Sequence, residues 1–396
     1  MSAFRPLDGV RVVEFATSIA GPVAAMILAQ LGADVVKVES PEGDDARGWP
    51  PHVGDRSIVF RNMSVGKRGV VVDLKKEEGV AVALALTRSA TVVLQTMRPG
   101  VADRIGIGQD AVRAGNPDVI YFDMNAFGTG PVGRGMPGYD PMVQAFSGIM
   151  EMTGHEGMPP TRCAPSLIDL GTGQWIAMGV LAAVLARQRG QQVRSVETAL
   201  VDTAFSVVGY QATTALMTGE RPPKAGSGNP IAAPYQCYQA SDGQLLLAAA
   251  NQKLWQRVVD VLDAQVLADD LRFKTVADRS RNRVALEGEL NARFARSTVD
   301  DWIARLSAAG VPATRVYGLE QAVRSDIARE RRTFAESDGV PLVRLPWLVD
   351  GEPIPWSSPA PALGQHTREV LREAGYPDER IDALVASGAV REQAAQ

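Results

Sequence analysis

Residues 165–173 place one carboxylate and two glycines at the start of a long apolar stretch. The segment reads Pro-Ser-Leu-Ile-Asp-Leu-Gly-Thr-Gly, with the carboxylate at Asp169 and the glycines at Gly171 and Gly173. A helix that begins here presents unpaired N–H groups and the positive end of its dipole, both of which favour an anion. Because glycines leave room for a substrate beside the backbone, Asp169 is a candidate carboxylate nucleophile. Asp is also a preferred helix N-cap, and on this segment alone the capping role is the favoured interpretation.

The chain before Asp169 alternates between strand and helix patterns. Residues 10–15 are apolar and β-branched, which predicts a strand. Gly21-Pro22 predicts a helix start with proline at the first helical position, and Gly32 predicts the end of that helix. Further strands are predicted at residues 33–39, 70–73, 91–94 and 119–122, and a further helix at residues 77–88. This alternation predicts an α/β fold with a mainly parallel sheet and right-handed crossovers.

A change in composition near residue 219 indicates a domain boundary. Residues 219–229 are rich in glycine and proline, which is typical of a linker. Beyond them, Ser241-Asp-Gly243 lies between two strand-like runs and predicts a β-hairpin. Helices are predicted at residues 252–263, 281–296 and 298–309. We therefore expect a large domain over residues 1–218, a linker over 219–229, a smaller α+β domain over 230–325 and a C-terminal segment over 326–396.

The composition argues against several classes of protein. The chain has 396 residues, 45% of them hydrophobic and 22% charged, which is enough for two globular domains. A net charge of −4 gives no basic footprint for nucleic acid, and the longest apolar run, residues 175–186, is too short to span a bilayer. The N-terminus lacks the apolar core of a signal peptide, and the two cysteines and three histidines have no metal-ligand spacing. We therefore expect a soluble cytoplasmic protein without a metal and without nucleic-acid or membrane partners.

One motif matches a dinucleotide-binding pattern by letter only. Residues 128–133 read Gly-Thr-Gly-Pro-Val-Gly and follow a predicted strand. The pattern needs a helix N-terminus to hold a pyrophosphate, whereas Pro131 and the glycines up to Gly138 continue a loop. We interpret residues 128–138 as a mobile glycine-rich loop. The chain also lacks the nucleophile elbow of serine hydrolases and the phosphate loop of nucleotide hydrolases.

Short segments along nearly the whole chain, from Pro6 to about Glu373, form an ordered set. They are Ala20-Gly-Pro22, residues 31–39, residues 44–49, Lys67-Arg68 with residues 73–75, Arg98-Pro-Gly100 with Arg104, Asn116-Pro117, Phe127-Gly with Gly130-Pro131, residues 138–140, Gln144-Ala, Ser147-Gly148, Asp169 with Gly173, and Ala233-Pro-Tyr235 with Asp242-Gly243. Each piece is weak alone, but together and in this order they are highly specific. The sequence resembles the class III CoA-transferases, the family of carnitine dehydratase-like and formyl-CoA transferase-like proteins.

The resemblance implies a fold and a mechanism. The fold is a Rossmann-like large domain with a parallel sheet, to which the C-terminal segment returns, plus the smaller α+β domain, and two subunits form an interlocked homodimer. Asp169 matches the family's catalytic aspartate, which attacks the thioester of an acyl-CoA to give a mixed anhydride and then an aspartyl-CoA thioester. A carboxylic acid acceptor reverses these steps. Coenzyme A is then a substrate carrier, and no cofactor is required.

The resemblance also implies a set of binding residues. The CoA-binding positions are Ser18, Ile19, Ser40, Val72, Lys75, Thr96, Met97, Arg104 and Gly138. The chain departs from the family at Ser40, where arginine is common, at Thr96, where asparagine is common, and at residues 188–191, which replace a Thr-Gly-Arg-Gly run. The loops at residues 44–49 and 127–139 are expected to line the acyl pocket. Its candidate residues are Arg47, Trp49, Tyr139 and Asp140.

Two alternatives remain open from the sequence. The same fold hosts α-methylacyl-CoA racemases, which have an acid–base histidine where this chain has Tyr139. Because tyrosine is poorly matched to proton exchange near neutral pH, transfer is favoured over racemisation. A non-catalytic acyl-CoA-binding protein is the other alternative, and it requires Asp169 to act only as a helix cap.

Overall fold

The computed structural model describes residues 4–393, which form two units. The first unit contains the chain up to Ser147, Ala164–Gly209 and the chain from Ile327 onward. The second unit contains Gly148–Cys163 and Tyr210–Asp326. Residues 148–163 and 210–218, expected in the large domain, thus group with the second unit.

The strands within residues 4–393 fall into one large sheet and several small ones. In chain order they are β1 (Arg11–Phe15), β2 (Asp34–Glu39), β3 (His52–Val53), β4 (Arg56–Ser57), β5 (Arg68–Val72), β6 (Val92–Gln95), β7 (Ile120–Asn125), β8 (Ser195–Ala199), β9 (Tyr235–Ala240), β10 (Gly243–Ala248), β11 (Ala313–Arg315), β12 (Phe334–Ser337), β13 (Val340–Val343), β14 (Leu348–Val349), β15 (Glu352–Pro353) and β16 (Val390–Arg391). The pairs β3–β4, β12–β13 and β14–β15 are separate two-stranded ribbons.

Helices cover most of the remaining regular structure. In chain order they are α1 (Ala20–Gln30), α2 (Ile58–Ser64), α3 (Glu77–Thr87), α4 (Val101–Ile105), α5 (Gln109–Gly115), α6 (Asp140–Phe146), α7 (Ile149–Met152), α8 (Leu167–Gln188), α9 (Leu200–Val207), α10 (Gly209–Thr218), α11 (Gln252–Val261), α12 (Gln265–Asp269), α13 (Val276–Arg281), α14 (Arg283–Phe294), α15 (Val299–Ala308), α16 (Leu319–Ala322), α17 (Asp326–Glu330), α18 (Thr367–Glu373) and α19 (Asp378–Ala386). Short 3₁₀ turns lie at Asp45–Gly48 and Leu271–Phe273.

The large sheet of the first unit has the strand order β16-β5-β2-β1-β6-β7-β8. Every neighbouring pair is parallel except β16, which runs antiparallel to β5. The strands read as continuous valine-rich runs, and Val12, Val13 and Val93 are fully buried, as expected where helices cover both faces of a parallel sheet. The predicted α/β fold with a mainly parallel sheet is therefore confirmed.

Helices α1 and α8 pack closely on one another in the first unit. A Cβ atom on Gly173 would lie 2.8 Å from the Ala20 carbonyl oxygen and 2.8 Å from a Val23 methyl carbon. This glycine therefore sets how near the two helices approach. The sequence predicted that Pro22 is the first residue of α1. The helix begins at Ala20, so Pro22 occupies its third position.

Helix α8 is longer than the apolar run in the sequence indicated. It has 22 residues and, by length and composition alone, is long enough and apolar enough to cross a membrane. Ile168, Ile176, Val180 and Val184 on it are buried. One face of α8 is therefore buried within the first unit.

The second unit is built around the antiparallel sheet β9-β10-β11. The predicted hairpin joins β9 to β10, and the three predicted helices correspond to α11, α14 and α15. Trp255, Phe273 and Phe294 are fully buried in its core. Residues 148–163 join this unit because Gly226 donates its N–H to the Gly154 carbonyl.

Candidate active site

A cavity of about 270 Å³ lies at the carboxyl ends of β1 and β6, within the first unit. The strand order reverses between these two strands, since β2 and β5 follow on one side and β7 and β8 on the other. Open parallel sheets bind ligands outside their carboxyl ends at such a reversal. Ser18 and Ile19 follow β1, Thr96 and Met97 follow β6, and all four line the cavity together with Asp169.

Asp169 is the third residue of α8 and does not cap it. The cap position is Ser166, whose side chain makes no capping hydrogen bond. Instead, a buried oxygen of Asp140 accepts the N–H groups of Ile168 and Asp169, at 2.7 and 3.2 Å. Because another residue satisfies these N–H groups, the Asp169 carboxylate is left for a different role.

The environment of Asp169 opposes its ionisation. Burial and, to a smaller extent, the negative charge of Asp140 raise the pKa of the Asp169 carboxyl from its ordinary value of 3.8 to about 7. No residue in the described part of the chain donates a hydrogen bond to this carboxylate. A perturbed carboxyl that faces a cavity is typical of a functional site.

The turn between β1 and α1 forms a second wall of the cavity. Ser18 has a φ of 68°, a left-handed conformation that few residues other than glycine adopt. Ile19 stands at the cap position of α1, and no side chain caps this helix within residues 4–393. The N–H groups at the start of α1 therefore remain available to a negatively charged atom.

A third wall comes from the glycine-rich loop, through Met136, Gly138 and Tyr139. The loop is anchored where it leaves β7, because Glu197 accepts hydrogen bonds from both the N–H and the hydroxyl of Thr129. Its residues 128–138 contain no helix, as the sequence analysis predicted, and α6 begins only at Asp140.

The sequence profile of CoA-transferase family III matches residues 7–367. The protein belongs to CoA-transferase family III. The resemblance inferred from the short sequence segments is therefore confirmed. The chain is an enzyme that transfers CoA between an acyl-CoA and an acid.

This family III CoA-transferase is similar along its length to proteins from several bacteria. It is 32% identical over 379 residues to acetyl-CoA:oxalate CoA-transferase from Acetobacter aceti, covering 95% of this chain and 97% of the relative. It is 33% identical over 384 residues to succinate–glutarate CoA-transferase from Agrobacterium fabrum, covering 93% and 95%. The crystal structure of a CAIB/BAIF family protein from Brucella suis superposes with a TM-score of 0.83 at 33% identity, covering 93% of this chain and 99% of that one.

Four of the predicted CoA-binding residues do not line the cavity of this CoA-transferase. Ser40 follows β2 and is exposed, and Val72 is buried as the last residue of β5. Lys75 lies in the turn after β5, and Arg104 lies in α4. Both of these cations are exposed. The structure thus brings Ser18, Ile19, Thr96, Met97 and Gly138 together with Asp169, and leaves the other four outside the cavity.

Only one of the four candidate acyl-pocket residues lines the cavity. Tyr139 lines the cavity, whereas Asp140 is buried behind it and holds the start of α8. Arg47 makes a two-fold contact with Glu39, with both N–O distances at 2.7 Å, and covers the Phe60 ring. Trp49 packs against the small cluster of Ala46, Phe60 and Ala360. Arg47 and Trp49 therefore shape the 44–49 loop and do not line the cavity.

Several cavity residues were missed from the sequence. Among them are Arg98, Asn125, Ala126 and Leu200, whereas Asp45 lies in the 44–49 loop that was expected to contribute. Asn125 and Ala126 lie at the carboxyl end of β7, and Arg98 lies just beyond β6. The rule that ligands gather at the carboxyl ends of parallel strands identifies this kind of position, but only once the strand order is known.

Proposed function

We propose that the reaction proceeds through covalent intermediates on Asp169. The main support is the position of the Asp169 carboxylate, which lines the cavity at the point where the strand order reverses. This carboxylate accepts no hydrogen bond from the described residues and is not needed as a helix cap. Its ionised form is poorly stabilised, which favours reaction with an electrophile over solvation of the charge.

The reaction has two halves: CoA moves from the donor acid to Asp169, and then from Asp169 to the acceptor acid. An Asp169 oxygen attacks the thioester carbonyl of the acyl-CoA, the C–S bond breaks, and a mixed anhydride and CoA thiolate result. The thiolate then attacks the Asp169 carbonyl carbon of the anhydride, releasing the donor acid as its carboxylate and leaving an aspartyl-CoA thioester. The acceptor carboxylate attacks this thioester, and the same steps run in reverse to release the new acyl-CoA. No net proton or electron is consumed.

Negative charge develops on the carbonyl oxygen at each attack. The unpaired N–H groups at the start of α1 border the same cavity as Asp169, and such preorganised donors lower the barrier for acyl transfer. The exposed guanidinium of Arg98 is a further group at the cavity that suits an anionic part of the substrates.

Asp169→Asn tests the covalent mechanism. The variant keeps the shape of the side chain but cannot form the anhydride, so we expect a folded protein with no measurable CoA transfer. Asp45→Asn, which alters another cavity carboxylate, is the matched control and should retain transfer. In the wild-type protein, acyl-CoA followed by hydroxylamine should modify the peptide that contains Asp169. Near-normal turnover of the Asn variant, with deamidation excluded by mass spectrometry, contradicts the mechanism.

The two alternative functions lose their main support. Non-catalytic binding required Asp169 to be a helix cap, and Asp140 performs that role. The cavity wall carries Tyr139 and no histidine among its described residues, so the acid–base histidine of the racemases has no counterpart there. An assay of α-proton exchange with solvent, run beside the transfer assay, should therefore be negative.

We further propose that two copies of the chain form a homodimer. Helix α8 exposes Leu170, Trp175, Met178 and Leu185, with 38–48% of each residue accessible. A contiguous apolar face of this kind is unusual on a monomer and is typical of a subunit interface. Interlocked subunits should bury more than about 2,000 Å² and resist dilution. A monomer in sedimentation at micromolar concentration contradicts this proposal.

The substrates are expected to be small acids and their CoA thioesters. The relatives described above are named for acetyl-CoA and oxalate and for succinate and glutarate. A panel that starts with these acids, with CoA esters identified by mass spectrometry, is therefore the most direct way to identify the donor and the acceptor.

A further inference from the structure

Four charged side chains are buried beneath the turn between β1 and α1. They are Glu14, Lys37, Asp44 and Lys67, and none is more than 3% exposed. Burying charges is costly, and well-packed apolar residues often stabilise a fold equally well. A cluster of this kind is therefore weakly explained by stability alone, and its contacts indicate what else it does.

The Lys37 ammonium group donates two hydrogen bonds and forms an ion pair with Asp44. Its Nζ atom lies 3.3 Å from a Glu14 oxygen, 2.7 Å from the Ala16 carbonyl oxygen and 2.7 Å from Oδ2 of Asp44. Lys67 contacts the other Glu14 oxygen at 2.8 Å. The cluster is thus a connected set of opposite charges with Lys37 at its centre.

Asp44 links this cluster to the wall of the cavity. Its Oδ1 atom accepts the N–H of Ser18 at 3.2 Å and the N–H of Ala46 at 2.9 Å. Lys37 therefore contacts the Ala16 carbonyl directly and the Ser18 amide indirectly, through Asp44. These two backbone groups flank Thr17. Ser18 is the residue with the left-handed φ of 68°.

The charges in the cluster support one another. Burial lowers the pKa of Lys37, but the charges of Glu14, Asp44 and Glu39 outweigh burial and raise it above its ordinary value of 10.5. Burial raises the pKa of Asp44, but Lys37 and the two backbone N–H groups lower it below its ordinary value of 3.8. Both groups therefore remain ionised at neutral pH, and their contact persists.

We propose that Lys37 and Asp44 are positioning residues that hold the Ala16–Ser18 turn in its left-handed conformation, so that the turn and the start of α1 face the acyl group. The inference rests on the proposed function of the cavity. Neither residue lines the cavity, so both act through the turn. Backbone strain of this kind persists only where the surroundings enforce it, and it is concentrated at functional sites.

Asp44→Asn tests the proposal. An Asn oxygen can accept the Ser18 N–H, but its NH₂ group then faces the Lys37 ammonium, so the contact with Lys37 is lost. Non-glycine residues disfavour the left-handed region by an amount that corresponds to about a tenfold change in population. Without the support of Lys37 and Asp44, the left-handed conformation of Ser18 should become about tenfold less populated, and we expect kcat to fall about tenfold. The KM for acyl-CoA should stay within about threefold.

A second substitution separates positioning from stability. Glycine adopts a φ of 68° without strain, so kcat should no longer depend on Asp44 once Ser18 is glycine: adding Asp44→Asn to Ser18→Gly should change kcat by less than about threefold. Asp34→Asn is the matched control: it breaks the 2.6 Å contact with Arg68 at the opposite end of β2. This control should lower thermal stability and leave kcat unchanged.

Hydrogen exchange gives a readout that does not depend on turnover. In Asp44→Asn, peptides that contain Ser18 should exchange faster, while peptides that contain Asp169 should not change. If Asp44→Asn does not fold, Asp44→Glu keeps the charge beside Lys37 but cannot keep the Ser18 contact in the same geometry, and the same loss of kcat is expected. An unchanged kcat in a folded variant, an effect of Asp44→Asn that is undiminished in the Ser18→Gly background, or unchanged exchange at Ser18 each overturns the proposal. The Asp169→Asn test of the mechanism is independent of these results.

Discussion

Replacing Asp140 with Asn isolates the effect of its charge on Asp169. The Asp140 side chain accepts the N–H groups of Ile168 and Asp169, and an Asn oxygen caps a helix equally well. The substitution therefore removes a negative charge while the start of α8 keeps its hydrogen bonds. The amide of Gln144, which now donates to the other Asp140 oxygen, can rotate to accept from the new NH₂ group.

The expected change in the pKa of Asp169 follows from the two causes that raise it. The pKa of Asp169 is raised from 3.8 to about 7, and burial contributes more to this increase than Asp140 does. The charge of Asp140 thus accounts for less than half of the increase, and its removal should lower the pKa by about 1 pH unit. At about pH 6, the ionised fraction of Asp169 should then rise from about one tenth to about one half, and kcat/KM should rise about fivefold. At about pH 8.5 both proteins are ionised and should be equally active.

The assay is the pH profile of kcat/KM between about pH 5 and 9, with thermal unfolding followed at each pH. Asp123→Asn is the control, because burial raises the pKa of Asp123 to about 6 and this residue does not line the cavity. Asp140→Asn should move the acid limb of the profile to lower pH, and Asp123→Asn should leave it in place. An acid limb that is unmoved in Asp140→Asn, or that moves in Asp123→Asn, refutes the assignment of this ionisation to Asp169.

Three further predictions concern stability and the loop. The folded-state pKa of Asp169 exceeds its unfolded value, so its ionisation destabilises the fold increasingly between about pH 4 and 7. Asp169→Asn should therefore be more stable than the wild-type protein by about 1–2 kcal/mol at pH 8, after allowance for partial solvent access, and equally stable at pH 4 in chemical denaturation. Gly173→Ala should lower the free energy of unfolding by about 1–3 kcal/mol because its Cβ meets the Ala20 carbonyl, whereas Gly288→Ala, in open space on α14, should not. Deleting residues 131–135 should increase acyl-CoA hydrolysis relative to transfer if the loop excludes water, and an unchanged ratio excludes that role.

The sequence predicted those parts of the fold whose causes are local. Valine-rich runs at residues 10–15 and 70–73 predicted β1 and β5, and glycine at residue 32 predicted the end of α1. The hairpin between β9 and β10 followed from Ser241-Asp-Gly243. Periodicity and turn residues act over a few positions, so they can be recognised without the tertiary structure.

The details of the site depend on distant residues and were not predictable. Asp140 holds the start of α8 from 28 positions earlier in the chain, and no local pattern distinguishes this from capping by Asp169 itself. Arg47 looked like a pocket residue in a Gly- and Pro-rich loop, but its partner is Glu39. Ser18 reads as an ordinary serine in the sequence, and its left-handed backbone and its contact with Asp44, 26 positions later, are visible only in the structure.

The discontinuity of the first unit has a consequence for biosynthesis. Its sheet is closed by β16, which pairs with β5 more than 300 positions earlier, and Val370 and Leu371 of α18 complete the core around Val72. A ribosome must therefore synthesise the whole second unit before the first can be finished. Until then, β5 presents an unpaired edge, which is a surface prone to aggregation. The second unit draws nearly all of its chain from one uninterrupted stretch and can fold during this interval. The order of emergence from the ribosome thus favours early completion of the second unit and late assembly of the catalytic one.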